Sequence, residues 1–198
     1  FDGELAVFCP NHAGAMGPIR MCAHFDLTDD CYSWMNNGMM EAKEVPAYVR
    51  QDYWWEPGCK LEPLYNATIP YIAAALIPPI LRSAPGIPVY HDNRVIKTFR
   101  QSIERLKQGK HLIIFTEQPA GHGTSEGELN KGWLQITTMA WRTMKVKLKI
   151  YPVHIDLEKR RITVSKPVCY DPEIPLKEQE DGIIAAIKAG ISTGQFEE

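Results

Sequence analysis

Apolar residues occur along this chain in two rhythms: short unbroken runs, and longer stripes with helical spacing. Strand-like runs fall at 4–9, 87–90, 111–115, 146–155 and 162–166. Between them, Val95, Phe99, Ile103 and Leu106 mark one face of a helix within 94–108. Asp92 or Asn93 is placed to cap its start, and Gly109 stands where a helix stops. A second helix is expected after Lys131-Gly132, with Trp133, Ile136, Ala140 and Met144 facing inward. A third is expected over 177–189, burying Ile183, Ile184 and Ile187. Pro18 suits the first turn of a further helix running to about Phe25. Strands alternating with helices predict an α/β fold, a single-domain sandwich with a mostly parallel central sheet flanked by helices.

Three stretches depart from this rhythm. Residues 31–70 are the least regular part and hold Trp34, Met35, Met39, Met40, Tyr48, Tyr53, Trp54 and Trp55. They read either as a helical insertion covering a site or as ordinary aromatic core. The uncharged run 69–81, broken by Pro70, Pro78 and Pro79, falls short of the roughly 20 residues a spanning helix needs. It reads as core or as a membrane-facing segment. Pro152, inside the fourth apolar run, would break a central ladder and implies a strand end or bulge near a cleft.

At 198 residues, with 44% hydrophobic and 23% charged, the chain has enough core for one domain over 1–198. It begins almost on a strand, which leaves room for an N-terminal segment upstream of Phe1. A net charge of −2 gives no electrostatic case for nucleic acid. Cys9, Cys22, Cys31, Cys59 and Cys169 are odd in number and lack CxxC or Cys/His ligand spacing. Reduced thiols in a cytoplasmic setting are expected, with no disulfide framework and no metal site.

The candidate chemistry lies at two strand ends. Leu5-Ala6-Val7-Phe8-Cys9 runs into Pro10-Asn11-His12, and Leu112-Ile113-Ile114-Phe115 runs into Thr116-Glu117. Strand ends are where a rigid scaffold presents polar groups to a cleft. Imidazole is a natural general base near neutral pH, so His12 is the first candidate, although a lone histidine also serves as a locally satisfied structural group. After it, Gly14 and Gly17 allow close backbone approach to a ligand. Amides at the following helix start suit an anion. Glu117 opens the loop Gln118-Pro119-Ala120-Gly121-His122-Gly123, expected to face solvent.

Four segments together resemble the glycerolipid acyltransferase family, the relatives of lysophosphatidic acid acyltransferase. Residues 5–12 resemble its first block and 86–94 its second. Residues 112–117, with Leu129-Asn130-Lys131-Gly132 downstream, resemble its third, and 150–153 its fourth. The family carries an aspartate five positions after the histidine, where this chain has Gly17; Asp26, Asp29 and Asp30 are the carboxylates available to fold back in its place. The arginines of the second and third blocks are also replaced, leaving Arg94, His91 and Lys131 as the basic groups nearby.

The resemblance implies transfer of a fatty acyl group from acyl-coenzyme A or acyl carrier protein to an acceptor hydroxyl, in phospholipid or other lipid metabolism. His12 would be the general base. Asn11 and the Gly14 amide would stabilise the oxyanion, and Glu117, Lys131, Arg94 and His91 would bind the acceptor. No cofactor beyond the thioester co-substrate is implied, and oligomeric state is left open. The run 69–81 and the segment 31–55 would hold the acyl chain or rest on a membrane surface, and peripheral association with the cytoplasmic face of a membrane is expected. Two alternatives remain: a non-catalytic domain that binds acyl chains or lipid, and an acyl-thioester hydrolase.

Overall fold

A computed structural model describes residues 4–12, 16–51, 55, 58–117 and 129–193. Strand β1 (Ala6–Pro10) leads to helix α1 (Met16–His24), strand β2 (Cys31–Asn36), and helices α2 (Asn37–Met40), α3 (Val45–Gln51) and α4 (Glu62–Ser83). Strand β3 (Gly86–Val89), helix α5 (Val95–Lys107) and strand β4 (His111–Ile113) follow. Helix α6 (Gln135–Met144), strands β5 (Lys149–Asp156), β6 (Arg161–Val164) and β7 (Val168–Cys169), and helix α7 (Leu176–Thr193) complete the described elements.

The sheet runs β3-β2-β4-β1-β5-β6, with β7 also paired to β5. β1 to β5 are mutually parallel, and β6 and β7 run antiparallel to β5. The architecture is an α/β sandwich around a mostly parallel sheet, as the alternating rhythms predict. Successive β1 residues feed two cores. Val7 and Cys9 pack with Leu112, Ile114 and the buried faces of α5, α6 and α7. Ala6 and Phe8 pack with Met21 of α1, Tyr151 and Val153.

Helix α5 follows its sequence pattern closely. The Asp92 carboxylate accepts the Arg94 N–H at 2.8 Å, and Ile103 and Leu106 are buried. At the far end Gly109 takes φ +78, its N–H bonds the Leu106 carbonyl, and that of Lys110 bonds Arg105. This is a Schellman stop, in which the positive φ explains the glycine.

Three expectations need correction. Residues 31–36 form the parallel strand β2 within the sheet, not part of an insertion. Pro152 lies inside β5, in register with Cys9, rather than at a strand end. It is tolerated because the partner on its other flank changes there, with β7 pairing through Ile150 and β6 from Val153. The missing N–H falls in that gap. Only one side of the run 69–81 is core: it belongs to α4, whose 22 residues are long and apolar enough to cross a membrane by length and composition. In it Pro70, Ala73 and Pro78 are buried, while Ile72, Leu76 and Ile80 are 58%, 57% and 63% exposed.

α4 packs its other face on α2 and α3, through Ala73, Val45 and Val49. One of its internal prolines, Pro70, has identifiable support. Pro70 cannot donate to the Asn66 carbonyl one turn back. Arg50 of α3 fills that role, donating from Nη2 to the Asn66 oxygen at 3.1 Å.

Candidate functional site

Adjacent strands β1 and β4 leave the sheet in opposite directions. β1 continues to α1 on one face, while β4 continues to α6 on the other, so the crevice beyond their C-terminal ends is a topological switch point. Parallel sheets bind ligands at such points. His12 and Glu117 both lie there.

The Glu117 carboxylate reaches across and accepts the main-chain N–H of His12 at 2.6 Å. The two strand ends are thereby joined beyond their last ladder contact. The His12 ring stands edge-on to Phe115, with centroids 5.5 Å apart. An aromatic wall on one side restricts the directions available to the imidazole. Glu117 also bridges to Leu129, and the Asn130 N–H bonds the Thr116 carbonyl. The segment carrying Lys131 is thus tied to the end of β4.

Asn11 is held by the neighbouring strand. Its Nδ2 donates to the Ile155 carbonyl at 3.2 Å and its Oδ1 accepts the Ile155 N–H at 2.6 Å. The side chain mimics a strand residue and extends the pairing of β1 with β5. Both polar atoms are therefore held by the scaffold, leaving the second Nδ2 hydrogen as the one the side chain could offer an oxyanion. Gly14 and the loop 118–128 lie outside the described residues.

The remaining basic candidates are dispersed. Lys131 forms an ion pair with Asp181 of α7. His91 and Arg94 lie beyond β3, three strand spacings from β1, about 14 Å across the sheet. There Arg94 stacks over Tyr90 and pairs with Asp92, beside a hollow of about 220 Å³ lined also by Asn36 and Tyr48. The structure thus brings His12 and Glu117 together and leaves Arg94, His91 and Lys131 with other partners or at another point on the edge.

Gly17 is buried in α1 and supplies no carboxylate. Asp29 and Asp30 do not replace it: they lie beside Lys110 just before β4, at the opposite edge of the sheet, where the Lys110 ammonium donates to the Asp30 carboxylate and to the Asp29 main-chain carbonyl. Asp26 lies in the turn preceding them.

One polar group near the site has no counterpart among the sequence candidates. The Thr116 hydroxyl, between Phe115 and Glu117, is buried without a hydrogen-bond partner among the described residues. Such orphans are uncommon and call for a reason. A threonine ending an apolar strand was the available signal. Among the described residues, no group of three or more His, Cys, Asp or Glu side chains could hold a metal ion. All five cysteines are free thiols, with Cys9 and Cys31 buried. The chain finds no match among family models, curated proteins or solved structures.

Proposed function

We propose that this protein transfers an acyl group from a thioester to an acceptor hydroxyl, with His12 as general base. The observation that carries the reading is the joining of His12 to Glu117 at the switch point between β1 and β4. The resemblance of four segments to glycerolipid acyltransferases supports it, since their residues fall on β1, β3, β4 and β5 and the turns that follow.

In this reaction a His12 ring nitrogen takes the acceptor's hydroxyl proton as the oxygen attacks the thioester carbonyl. The new C–O bond forms, the C–S bond breaks, and the proton leaves with the thiolate. No covalent enzyme intermediate is required. Glu117 acts here as a positioning residue, because its carboxylate holds the His12 main chain; Asn11 holds the adjoining turn to β5. The acceptor is a lipid, met at a membrane surface. The uncharged stretch 63–81 on α4, with Ile72, Leu76 and Ile80 outward, supports that choice of substrate class.

A second reading is favoured by Gly17, which leaves the family's carboxylate position empty of charge. On it, the domain holds acyl chains without transferring them. Mass spectrometry of products from acyl-coenzyme A and a panel of lysophospholipid and alcohol acceptors separates the possibilities. Ester product supports transfer. Free fatty acid alone indicates a hydrolase, and bound but unreacted thioester indicates a binding domain.

A further inference from the structure

A second hollow, of about 310 Å³, opens between α1 and the turn joining β5 to β6. Its size lies at the lower end of small-molecule sites, about 300–1,000 Å³. Arg20 and His24 enter it from α1, four residues apart and so on one helix face. Arg160 and Arg161 enter from the other side. The chain as a whole carries a net charge of −2, so this is a local concentration against the general balance.

The acidic residue in the hollow does not offset it. Asp156 accepts the Lys159 N–H at 2.9 Å and pairs with the Lys159 ammonium at 3.3 Å. Its charge is therefore already matched. Among the described residues, the side chains of Arg20, His24, Arg160 and Arg161 have no ion pair or hydrogen bond with protein groups. Arg160 also holds a left-handed backbone, φ +52, which an L side chain adopts at a cost. Three guanidinium groups converging on a concave surface focus positive potential, and their planar donor forks match phosphate oxygens.

The position ties the hollow to the candidate site. Ile155 and Asp156 line it, and Ile155 is the residue clamped by Asn11, next to His12. β1 and β5 are neighbours, about 4.8 Å apart. A ligand held by its phosphates between α1 and the hairpin can extend over one strand to reach His12.

We infer that this hollow binds the phosphate groups of a phosphorylated small molecule and, resting on the acyl-transfer reading, those of a coenzyme A thioester donor. The thioester would then approach His12 from the β5 side, leaving the β4 side for the acceptor.

Isothermal titration calorimetry with coenzyme A, dephospho-coenzyme A and glycerol 3-phosphate tests this. The proteins are the wild type, the double variant Arg20→Gln/Arg161→Gln, and Arg142→Gln as an exposed control on α6. The expected result is coenzyme A binding that weakens at least tenfold in the double variant, weakens with added salt, and is unchanged in Arg142→Gln. Circular dichroism confirms folding of each variant. Equal coenzyme A affinity in wild type and double variant overturns the site, as does binding of none of the three ligands. Arginine-dependent binding of glycerol 3-phosphate without coenzyme A keeps an anion site but overturns the donor assignment. Thiol release by wild type and His12→Ala is measured in parallel, so that loss of the acyl-transfer reading is distinguished from loss of the hollow.

Discussion

The Glu117 carboxylate accepts the His12 main-chain N–H at 2.6 Å, across the crevice between β4 and β1. A charged acceptor in a half-buried position makes this one of the stronger hydrogen bonds available, typically worth about 1.5–3 kcal/mol. It fixes the backbone from which the imidazole projects, rather than the ring itself. Glu117→Ala is expected to lower stability by about 1.5–3 kcal/mol and to reduce acyl transfer together with it. Glu117→Gln keeps an acceptor oxygen and should lose less in both. Thermal denaturation and initial rates check the pair; equal losses in the two variants would show that an uncharged acceptor oxygen does not sustain the contact.

Thr116 carries a buried hydroxyl with no partner among the described residues. Replacing it by valine removes an unsatisfied polar group while keeping the side-chain shape. Thr116→Val is expected to leave stability unchanged or raise it by about 1 kcal/mol. A clear loss in urea unfolding would mean that the hydroxyl is bonded in solution.

His111 sits at the opposite edge of the sheet, where its Nδ1 accepts the Ala6 N–H at 3.3 Å. Burial holds its imidazole below the ordinary value, outweighing the opposing pull of Asp30. The unfolded chain takes up this proton near about pH 6.5 and the native state only at lower pH. Native protein therefore binds fewer protons, and the stability present above that pH is lost as pH falls below it. His111→Asn keeps an acceptor close to the Nδ1 position without the titration. Urea unfolding at pH 7.5 and 5.5 should show a larger acid loss for wild type than for the variant, and parallel losses would remove His111 from the account.

Much of the fold is legible in the sequence, and the reasons are local. α5 shows its stripe, its Asp92 turn and its Gly109 stop because each is dictated by neighbours within the helix. β2 is not legible. Its buried positions are Cys31 and Ser33, while Tyr32, Trp34 and Met35 are half-buried, which inverts the usual contrast. Trp34 is anchored by its Nε1 donating to Ser102 of α5, a pairing 68 residues distant. At the site, residue type pointed to His12 and Glu117 but not to the direction in which each side chain points. Asn11 turned to Ile155, and Glu117 to a main-chain N–H, because those backbone groups lie at strand ends without ladder partners.

Arg50 supports α4 where Pro70 leaves the Asn66 carbonyl without its helical donor, and its guanidinium also lies 5.5 Å from the Tyr71 ring centre. Arg50→Ala is expected to cost about 1 kcal/mol. Faster amide exchange around Asn66 in the variant would accompany the loss; an unchanged exchange pattern would remove Arg50 from this role.

The outward face of α4 makes a separate prediction. Ile72→Glu/Leu76→Glu changes two side chains that are more than half exposed, so stability should move by no more than about 0.5 kcal/mol for each. Flotation with phosphatidylcholine/phosphatidylglycerol vesicles should recover the wild type and not the double variant. Equal recovery, or none for the wild type, would contradict a lipid-facing role.

The central claim is that His12 takes a proton from an acceptor hydroxyl during acyl transfer. The most direct measurement is thiol release from acyl-coenzyme A, with and without a lysophospholipid acceptor, by wild type and His12→Ala matched for folding. The account predicts release that requires the acceptor and falls by at least about a hundredfold in the variant, the scale of a positioned general base. Acceptor-dependent release that survives in His12→Ala would contradict it.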